Sequence, residues 1–297
     1  MGKHKKWWIW MIMLIGVVAI SLGYLSTVNI PLLQPRGFIA DKEFRLLITV
    51  TLIMCIVVVP VFILLAYIVW KYRDTNHTQK KYTPDVASNR YLEGLWWMIP
   101  TIIIIVLSVI TWKATYALNP YNPIASPNQA IPVQVIALDW KWLFIYPTLN
   151  VASVNKVVFP VSTPVHFYLT SDAPMNSFWV PQLSGQIYNM PGMQTQLYLM
   201  ADQKGNYNGW SANISGIGFA SMMFTAEATS HHQFVSWVKQ IRRTAPHLTQ
   251  AAYDQLTKPS SYVKPKYFSD PKTNLFNDQI MKYMMPSGST MSGMKMS

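Results

Sequence analysis

Two long apolar runs constrain this chain more than any other feature of its sequence. No charged residue occurs from Leu46 to Trp70, a run of 25 residues, or from Gly94 to Trp112, a run of 19. The hydrocarbon core of a bilayer, about 30 Å thick, is crossed by about 20 apolar residues in a helix. Because backbone polar groups in lipid must be satisfied within the segment, we predict that both runs are membrane-spanning helices.

The charges between the two runs predict the orientation of the chain in the membrane. Short loops rich in lysine and arginine stay on the cytoplasmic side. Five basic residues lie here against two acidic ones, and they are Lys71, Arg73, Lys80, Lys81 and Arg90. The residues after Leu118 are therefore expected on the outer side of the membrane.

Composition excludes some classes of function. Only 12% of residues are charged, about half the share of an ordinary soluble protein. The net charge of +12 would suit a nucleic-acid partner. However, the basic residues form no dense stripe with a binding motif, and the chain is anchored in lipid, so we exclude nucleic acid. Cys55 is the only cysteine, so no disulfide can form within the chain.

The first 27 residues have two interpretations, which the sequence leaves open. Lys3, Lys5 and Lys6 precede an almost wholly apolar stretch from Trp7 to Ile20. This pattern fits either a cleaved signal peptide or a retained first membrane helix. In both cases residues 28–118 form a two-span anchor, with the start of the first span on the outer side.

A β-rich domain is predicted after the anchor. Residues 119–128 are rich in asparagine and proline and form a linker, and residues 129–229 carry strand signals. Several short strands within about 100 residues predict a sandwich or barrel. The predicted strands are Ile131–Leu138, Trp140–Tyr146, Val154–Phe159, Val165–Thr170, Gln194–Met200 and Phe219–Ala228.

The pattern changes to helical from Ser230 onwards. Residues 230–284 form an aromatic-rich extension, with helices expected from about Phe234 to Ile241, Leu248 to Leu256 and Thr273 to Met284. The tail, residues 285–297, is rich in methionine and serine. Methionine thioethers could bind Cu(I), but the terminal position and composition favour a tail without fixed structure.

Five motifs, in order along the chain, resemble subunit II of the haem–copper respiratory oxidases. Together these motifs cover roughly residues 35 to 228. They are EGLWWMIP at 93–100, DWKWLFIYP at 139–147, TSDAPMNSF at 170–178, MPGM at 190–193 and GWSANISGIGFASM at 209–222. The resemblance implies a membrane α-helical hairpin, then an all-β cupredoxin-like Greek-key sandwich, then C-terminal helices.

The positions of the family's copper ligands distinguish two branches of this family. In the cytochrome c-oxidising branch, two cysteines, two histidines, a methionine and a carbonyl hold two copper ions. The resemblance assigns the two histidine positions to Asn176 and Phe219, the two cysteine positions to Ser211 and Ser215, and the carbonyl position to Asn213. Only Met222 has the expected residue type. Serine and phenylalanine cannot supply soft ligands, so we predict that this domain holds no metal.

That pattern resembles the quinol-oxidising branch, the cytochrome bo type. The segment LLQPRG at 32–37 and the aromatic-rich extension agree with that branch. The resemblance implies a proton-pumping complex that oxidises ubiquinol and reduces oxygen to water. Haems, copper and the ubiquinol site would belong to subunit I, so this chain would have no cofactor of its own. Subunit I, further small membrane subunits and lipid are the expected partners, and cytochrome c is not.

Two sets of residues remain as functional candidates. Glu93 lies at the inner end of the second span, where the resemblance implies an entrance for protons. A carboxylate at a membrane edge can collect protons, although it could also merely offset Arg90. Trp140, Trp142 and Tyr146 are expected on one strand face by period two, for packing and contact with subunit I.

Two other functions stay open at this stage. One is a cytochrome c oxidase subunit II with copper, against which the missing ligands argue. The other is a free-standing, membrane-tethered cupredoxin that binds or delivers a ligand. The favoured interpretation is a structural and assembly subunit of a ubiquinol oxidase.

Overall fold

A computed structural model of the chain describes residues 30–72 and 89–284, with scattered residues between 13 and 24. The alternatives for residues 1–27 fall almost wholly outside the described residues. The methionine-rich tail and most of the basic loop between the spans also lie outside them.

The two predicted spans are confirmed as helices of a hairpin. Helix α1 is Phe38–Lys71 and helix α2 is Arg90–Ala117. At about 1.5 Å per residue, both are longer than a bilayer core is thick, so their ends project beyond it. Both are long and apolar enough to cross a membrane, and their most apolar parts face outwards from the protein. Asn89 begins α2, because its side chain accepts hydrogen bonds from the first-turn amides of Tyr91 and Leu92.

The hairpin is joined to the β domain by backbone hydrogen bonds just before α1. The amide of Arg36 donates to the carbonyl of Gln182 at 2.8 Å, and that of Phe38 donates to Met200 at 3.2 Å. Gly37 lies between these contacts. A Cβ there would be 2.7 Å from the carbonyl oxygens of Leu183 and Met200, so only glycine allows this close approach.

The β domain is a sandwich of two sheets, which confirms the predicted fold class. The strands are β1 Ile131–Leu138, β2 Lys141–Tyr146, β3 Val151–Val154, β4 Lys156–Pro160, β5 Val165–Ser171, β6 Asn176–Trp179, β7 Ile187–Asn189, β8 Thr195–Leu199, β9 Gly205–Ser211, β10 Met223–Thr229 and β11 Lys266–Ser269. One sheet has the strand order β11-β3-β2-β1-β5-β8 and the other β4-β10-β9-β6-β7. The pairs β1–β5 and β4–β10 are parallel, and the remaining pairs are antiparallel.

The core between the sheets is aromatic. The ring of Trp142 lies edge-on to Phe178, with centroids 5.4 Å apart, and Phe178 stacks on Phe224 at 4.9 Å. Such offset and edge-to-face pairs add stability beyond the area that they bury. This core fixes the strands whose ends carry the candidate site.

The aromatic-rich extension packs on two faces of the sandwich. It forms α3 His231–Thr244, α4 Gln250–Thr257 and α5 Leu275–Met284, so all three predicted helices are present. Helix α3 begins at Ser230 in a capping box with Gln233 and adds Phe234 to the main core. The residues from Leu248 to Phe276 build a second core on the outer face of the six-stranded sheet.

Two predicted strands were wrong in detail. The run Val154–Phe159 divides into β3 and β4, because Asn155 adopts a positive φ of 54° between them. Its side-chain oxygen accepts the amide of Trp142 at 2.8 Å, which stabilises this turn. The run Phe219–Ala228 begins instead with a 3₁₀ turn, Phe219–Ser221, before β10. Strands β6, β7, β9 and β11 were not predicted, and of β3 only the last residue, Val154, was.

Candidate functional site

The loops at one end of the sandwich bring the six predicted ligand positions into one neighbourhood. Asn176 begins β6, and Ser211 ends β9. Asn213, Ser215 and Phe219 lie in the loop from β9 to β10, and Met222 directly precedes β10. We call this loop, residues 212–222, the ligand loop.

Hydrogen bonds of neutral side chains, to one another and to the backbone, connect the first part of the ligand loop to β6. The hydroxyl of Ser211 lies 3.1 Å from Oδ1 of Asn176 and 3.1 Å from the carbonyl oxygen of Asn213. It also accepts the amide of Ser177 at 3.3 Å. Nδ2 of Asn213 donates to the carbonyl of Met175 at 2.8 Å. Three of the six predicted ligand positions are therefore joined here by hydrogen bonds.

The remaining ligand positions are used for packing. Met222 is fully buried in the main core, where its side chain fills space between the sheets. Phe219 is half-buried and lines a groove of about 410 Å³ with Trp179, Trp210 and Met223. The hydroxyl of Ser215 is buried and has no hydrogen-bond partner among the described residues.

This donor set does not fit a dinuclear copper site. Thiolates, imidazoles and thioethers select copper, whereas the residues present offer amides, hydroxyls, a phenyl ring and one thioether. Within residues 30–72 and 89–284, histidine, cysteine, aspartate and glutamate form no group of three that could hold a metal ion.

Trp140 covers the ligand loop instead of sharing a strand face with Trp142 and Tyr146. It precedes β2 with a φ of 60°, an unfavourable conformation for a bulky residue. Its indole nitrogen donates to the carbonyl of Ser215 at 3.4 Å. A Cβ on Gly218 would lie 2.1 Å from its ring, so the indole packs directly on the loop backbone. The predicted common face was wrong because β2 begins one residue later.

Trp142 and Tyr146 are fully buried inside the sandwich. The indole nitrogen of Trp142 donates to the carbonyl of Met222 at 3.5 Å, and the hydroxyl of Tyr146 donates to the carbonyl of Val158 at 2.8 Å. Their predicted role in packing agrees with these contacts. Their predicted contact with another subunit does not agree with the structure, because neither side chain reaches the surface. Trp140, which is half-buried, is the only one of the three that can make such a contact.

The surface around the ligand loop is strongly apolar. Ile217 is 100% exposed and Ile214 is 80% exposed, although both lie in the middle of this loop. Met175, whose carbonyl accepts Nδ2 of Asn213, and Met223, which lines the groove with Phe219, are also exposed. Large exposed apolar patches on a folded domain mark interaction surfaces.

Glu93 lies in the first turn of α2, at the end of the hairpin opposite the β domain. A carboxylate at this place interacts favourably with the helix dipole. Its side chain is half-buried, and among the described residues it forms no ion pair with Arg90 or any other cation. This geometry leaves the carboxylate available, and its function stays a prediction.

Sequence reasoning missed two buried charges that attach the extension. Nζ of Lys141 donates to the carbonyls of Leu256 and Lys258 at 2.8 Å each, and to that of Asp139 at 3.1 Å. Burial lowers the pKa of Lys141. The first two carbonyls belong to the C-terminal end of α4, which lacks intrahelical donors. The strand pattern around Lys141 gave no signal, because alternation does not predict which lysine is buried.

Asp172 is the second of these charges. Its side chain is only 1% exposed. It accepts hydrogen bonds from the hydroxyls of Tyr253 and Tyr283 at 2.8 Å each and from Nζ of Lys282 at 2.6 Å. Burial, followed by the negative charge of Asp172, raises the pKa of Tyr253. The donors lie over 80 residues away along the chain, so the sequence alone did not connect them.

Comparisons with known proteins agree with this architecture. Three family models match the chain. They are the transmembrane domain of cytochrome c oxidase subunit II at residues 40–113, its periplasmic domain at 110–229, and the COX aromatic-rich motif at 242–287. All three describe parts of one type of subunit.

Relatives over most of the chain carry a more specific name. The chain is 44% identical over 259 residues to cytochrome bo(3) ubiquinol oxidase subunit 2 of Pseudomonas aeruginosa, covering 87% of this chain and 78% of the relative. It is 39% identical over 261 residues to ubiquinol oxidase subunit 2 of Acetobacter aceti, covering 87% and 84%. The chain therefore belongs to the subunit II family of the haem–copper oxidases, in its ubiquinol oxidase branch.

Proposed function

We propose that this chain is subunit II of a proton-pumping ubiquinol oxidase that reduces oxygen to water in a bacterial inner membrane. It works there without a redox metal of its own. The haems, the copper and the ubiquinol site belong to subunit I. This chain anchors the complex with its hairpin, holds its β domain on the periplasmic side and contacts subunit I and further small membrane subunits.

The carrying observation is the hydrogen bonding at the ligand positions. The hydroxyl of Ser211 is hydrogen-bonded to Asn176 and to the carbonyl of Asn213. A copper relay would need thiolates and an imidazole at such positions. Electrons from a water-soluble cytochrome c would have no entry centre in this domain. A lipid-soluble donor such as ubiquinol avoids that requirement, because it reaches subunit I directly within the membrane.

The two alternatives are weaker for specific reasons. A copper-containing cytochrome c oxidase subunit would need ligands that this chain lacks. A free-standing tethered cupredoxin would leave apolar Ile214 and Ile217 exposed to water at the tip of its domain. Both isoleucines suit a surface that is covered by a partner subunit.

Purification tests the proposed function directly. The chain, isolated in mild detergent, should carry with it a haem-containing oxygen reductase that consumes oxygen with ubiquinol. A stable solitary protein without haem would contradict the proposal and favour the tethered cupredoxin.

We further propose that Glu93 collects protons at the cytoplasmic entrance of a pathway into subunit I. Its half-buried carboxylate, free of ion pairs among the described residues, supports this role. Glu93→Ala should lower oxygen consumption and proton uptake, whereas Glu93→Asp should retain most of both. Unchanged oxygen consumption and proton uptake in Glu93→Ala would remove this role.

A further inference from the structure

A second carboxylate lies at the opposite end of the hairpin, where α1 meets the β domain. Glu43 lies in the second turn of α1 and is half-buried. The loop between β6 and β7 approaches this carboxylate at Gly185. A Cβ on Gly185 would lie 2.6 Å from Oε1 of Glu43, so the glycine makes room for the carboxylate.

Glu43 lines a small cavity of about 80 Å³ between the hairpin and the domain. This volume has room for about two or three water molecules, and polar side chains from three segments form part of its wall beside apolar ones. These side chains are Asn119 and Asn122 after α2, Ser184 and Gln186 from the loop between β6 and β7, and Tyr198 of β8. The cavity therefore offers hydrogen-bond partners for a short water chain beside a carboxylate.

The charge of Glu43 is not neutralised by a cation. Among the described residues it forms no ion pair within 4 Å. Its neighbour Asp41 instead pairs with Arg45 at 2.9 Å on the exposed side of α1. Tyr198 is the only other titratable side chain that lines the cavity among the residues described. An unpaired carboxylate with polar partners can change its protonation state without breaking an ion pair.

We propose that Glu43 is a proton-accepting site at the outer end of this subunit, through which protons leave the complex for the periplasm. A proton arriving on a cavity water binds a carboxylate oxygen and forms the neutral acid. The acid then returns the proton to water on the outer side, which restores the carboxylate. This inference rests on the proposed function, because it requires a complex that delivers protons outwards.

The test uses the complete oxidase in sealed vesicles with a pH indicator in the outer medium. The complex is oriented with its β domain outwards, and an oxygen pulse is given with ubiquinol present. Glu43→Gln keeps the size of the side chain and one oxygen beside Gly185 but removes the titratable group. We expect proton release several-fold slower than in the wild type, with oxygen consumption unchanged when the membrane is made proton-permeable.

Two further variants separate proton transfer from a merely structural role. Asp41→Asn removes an acid on the same helix that does not line the cavity, and it should release protons at the wild-type rate. Gly185→Ala keeps the carboxylate but displaces it, and it should slow release. Gly185→Ala is an independent variant. It therefore tests the site even if the Glu43→Gln chain fails to fold or to assemble into the complex.

The outcomes distinguish this inference from the function on which it rests. Wild-type release in both Glu43→Gln and Gly185→Ala would overturn the role of Glu43 and leave the ubiquinol oxidase intact. Equal slowing in Asp41→Asn would also overturn it, because surface charge alone would then explain the effect. A wild-type complex that consumes no oxygen with ubiquinol would overturn the proposed function and this inference with it.

Discussion

The ligand loop and the seam between the sandwich and its extension are both held by buried polar groups, but of different kinds. At the ligand loop the groups are neutral, with the buried hydroxyl of Ser211 hydrogen-bonded to the buried Asn176 and to the backbone carbonyl of Asn213. At the extension seam they are charged, with Lys141 on the carbonyls of α4 and Asp172 on two tyrosines and a lysine.

The difference indicates which region depends more strongly on each buried group. A neutral hydrogen bond contributes about 1 kcal/mol, whereas hydrogen bonds to a charged group contribute about 1.5 to 3 kcal/mol. A buried charge that loses its partners is more costly still. The loss of one of these neutral hydrogen bonds should therefore destabilise the ligand loop only slightly. The extension instead docks through two charges that must remain satisfied.

Replacing Lys141 should have the largest effect. Lys141→Met removes a buried ammonium and leaves the carbonyls at the end of α4 without their donor, so the outer domain should lose about 3 kcal/mol of unfolding free energy. Urea denaturation of the purified chain in detergent, followed by tryptophan fluorescence, measures this. Lys204→Met, at an exposed site, is the matched control and should change little. Equal stability of the two variants would contradict the structural role of Lys141.

Replacing Asp172 should have the second largest effect. Asp172→Asn keeps one acceptor oxygen but loses the charge that attracts Lys282, so we expect a loss of about 2 kcal/mol. Limited proteolysis should then cut the extension faster than in the wild type. Asp278→Asn, which removes an exposed partner of Lys272, should leave the cleavage rate unchanged. If the extension of Asp172→Asn resisted proteolysis as well as that of the wild type, Asp172 would not be what holds the extension on the sandwich.

A smaller effect is expected at the ligand loop. Ser211→Ala removes one hydroxyl between Asn176 and the amide of Ser177, both of which are buried, and should cost about 1 kcal/mol. The same urea denaturation measures it, with Ser261→Ala at an exposed site as the control. If Ser211→Ala lost as much unfolding free energy as Lys141→Met, the neutral ligand loop would not differ from the charged seam in its dependence on each buried group.

The contribution of Tyr253 to the free energy of unfolding should not change with pH near neutrality. The pKa of Tyr253 is raised above its ordinary value of 10.0, first by burial and then by Asp172. Above pH 10 the unfolded chain loses this proton and the folded chain retains it, so stability is complete below pH 10 and falls above it. The unfolding free energy of Tyr253→Phe, measured by urea denaturation at each pH, should fall less steeply above pH 10 than that of the wild type. That of Tyr262→Phe, at an 82% exposed site, should follow the wild type.

The sequence predicted these regions unequally, for physical reasons. The apolar runs and the period of α3 predicted helices directly, because burial in lipid or against one face imposes that pattern. The polar residues of β9 and the short β7 lack an apolar alternation, so those strands were missed. The ligand positions were predicted from the resemblance of the motifs at 170–178 and 209–222 to the family's copper loops, and they stay a prediction. Lys141 and Asp172 were missed because their partners lie far along the chain.

Oxygen uptake with two different electron donors tests whether this subunit serves a ubiquinol oxidase without holding copper itself. The purified complex is supplied with ubiquinol or with reduced cytochrome c, and oxygen uptake and the optical spectrum are recorded. We predict oxygen uptake with ubiquinol, none with reduced cytochrome c, and no absorption from a thiolate-bridged copper pair. Rapid oxidation of cytochrome c together with that absorption would contradict the account.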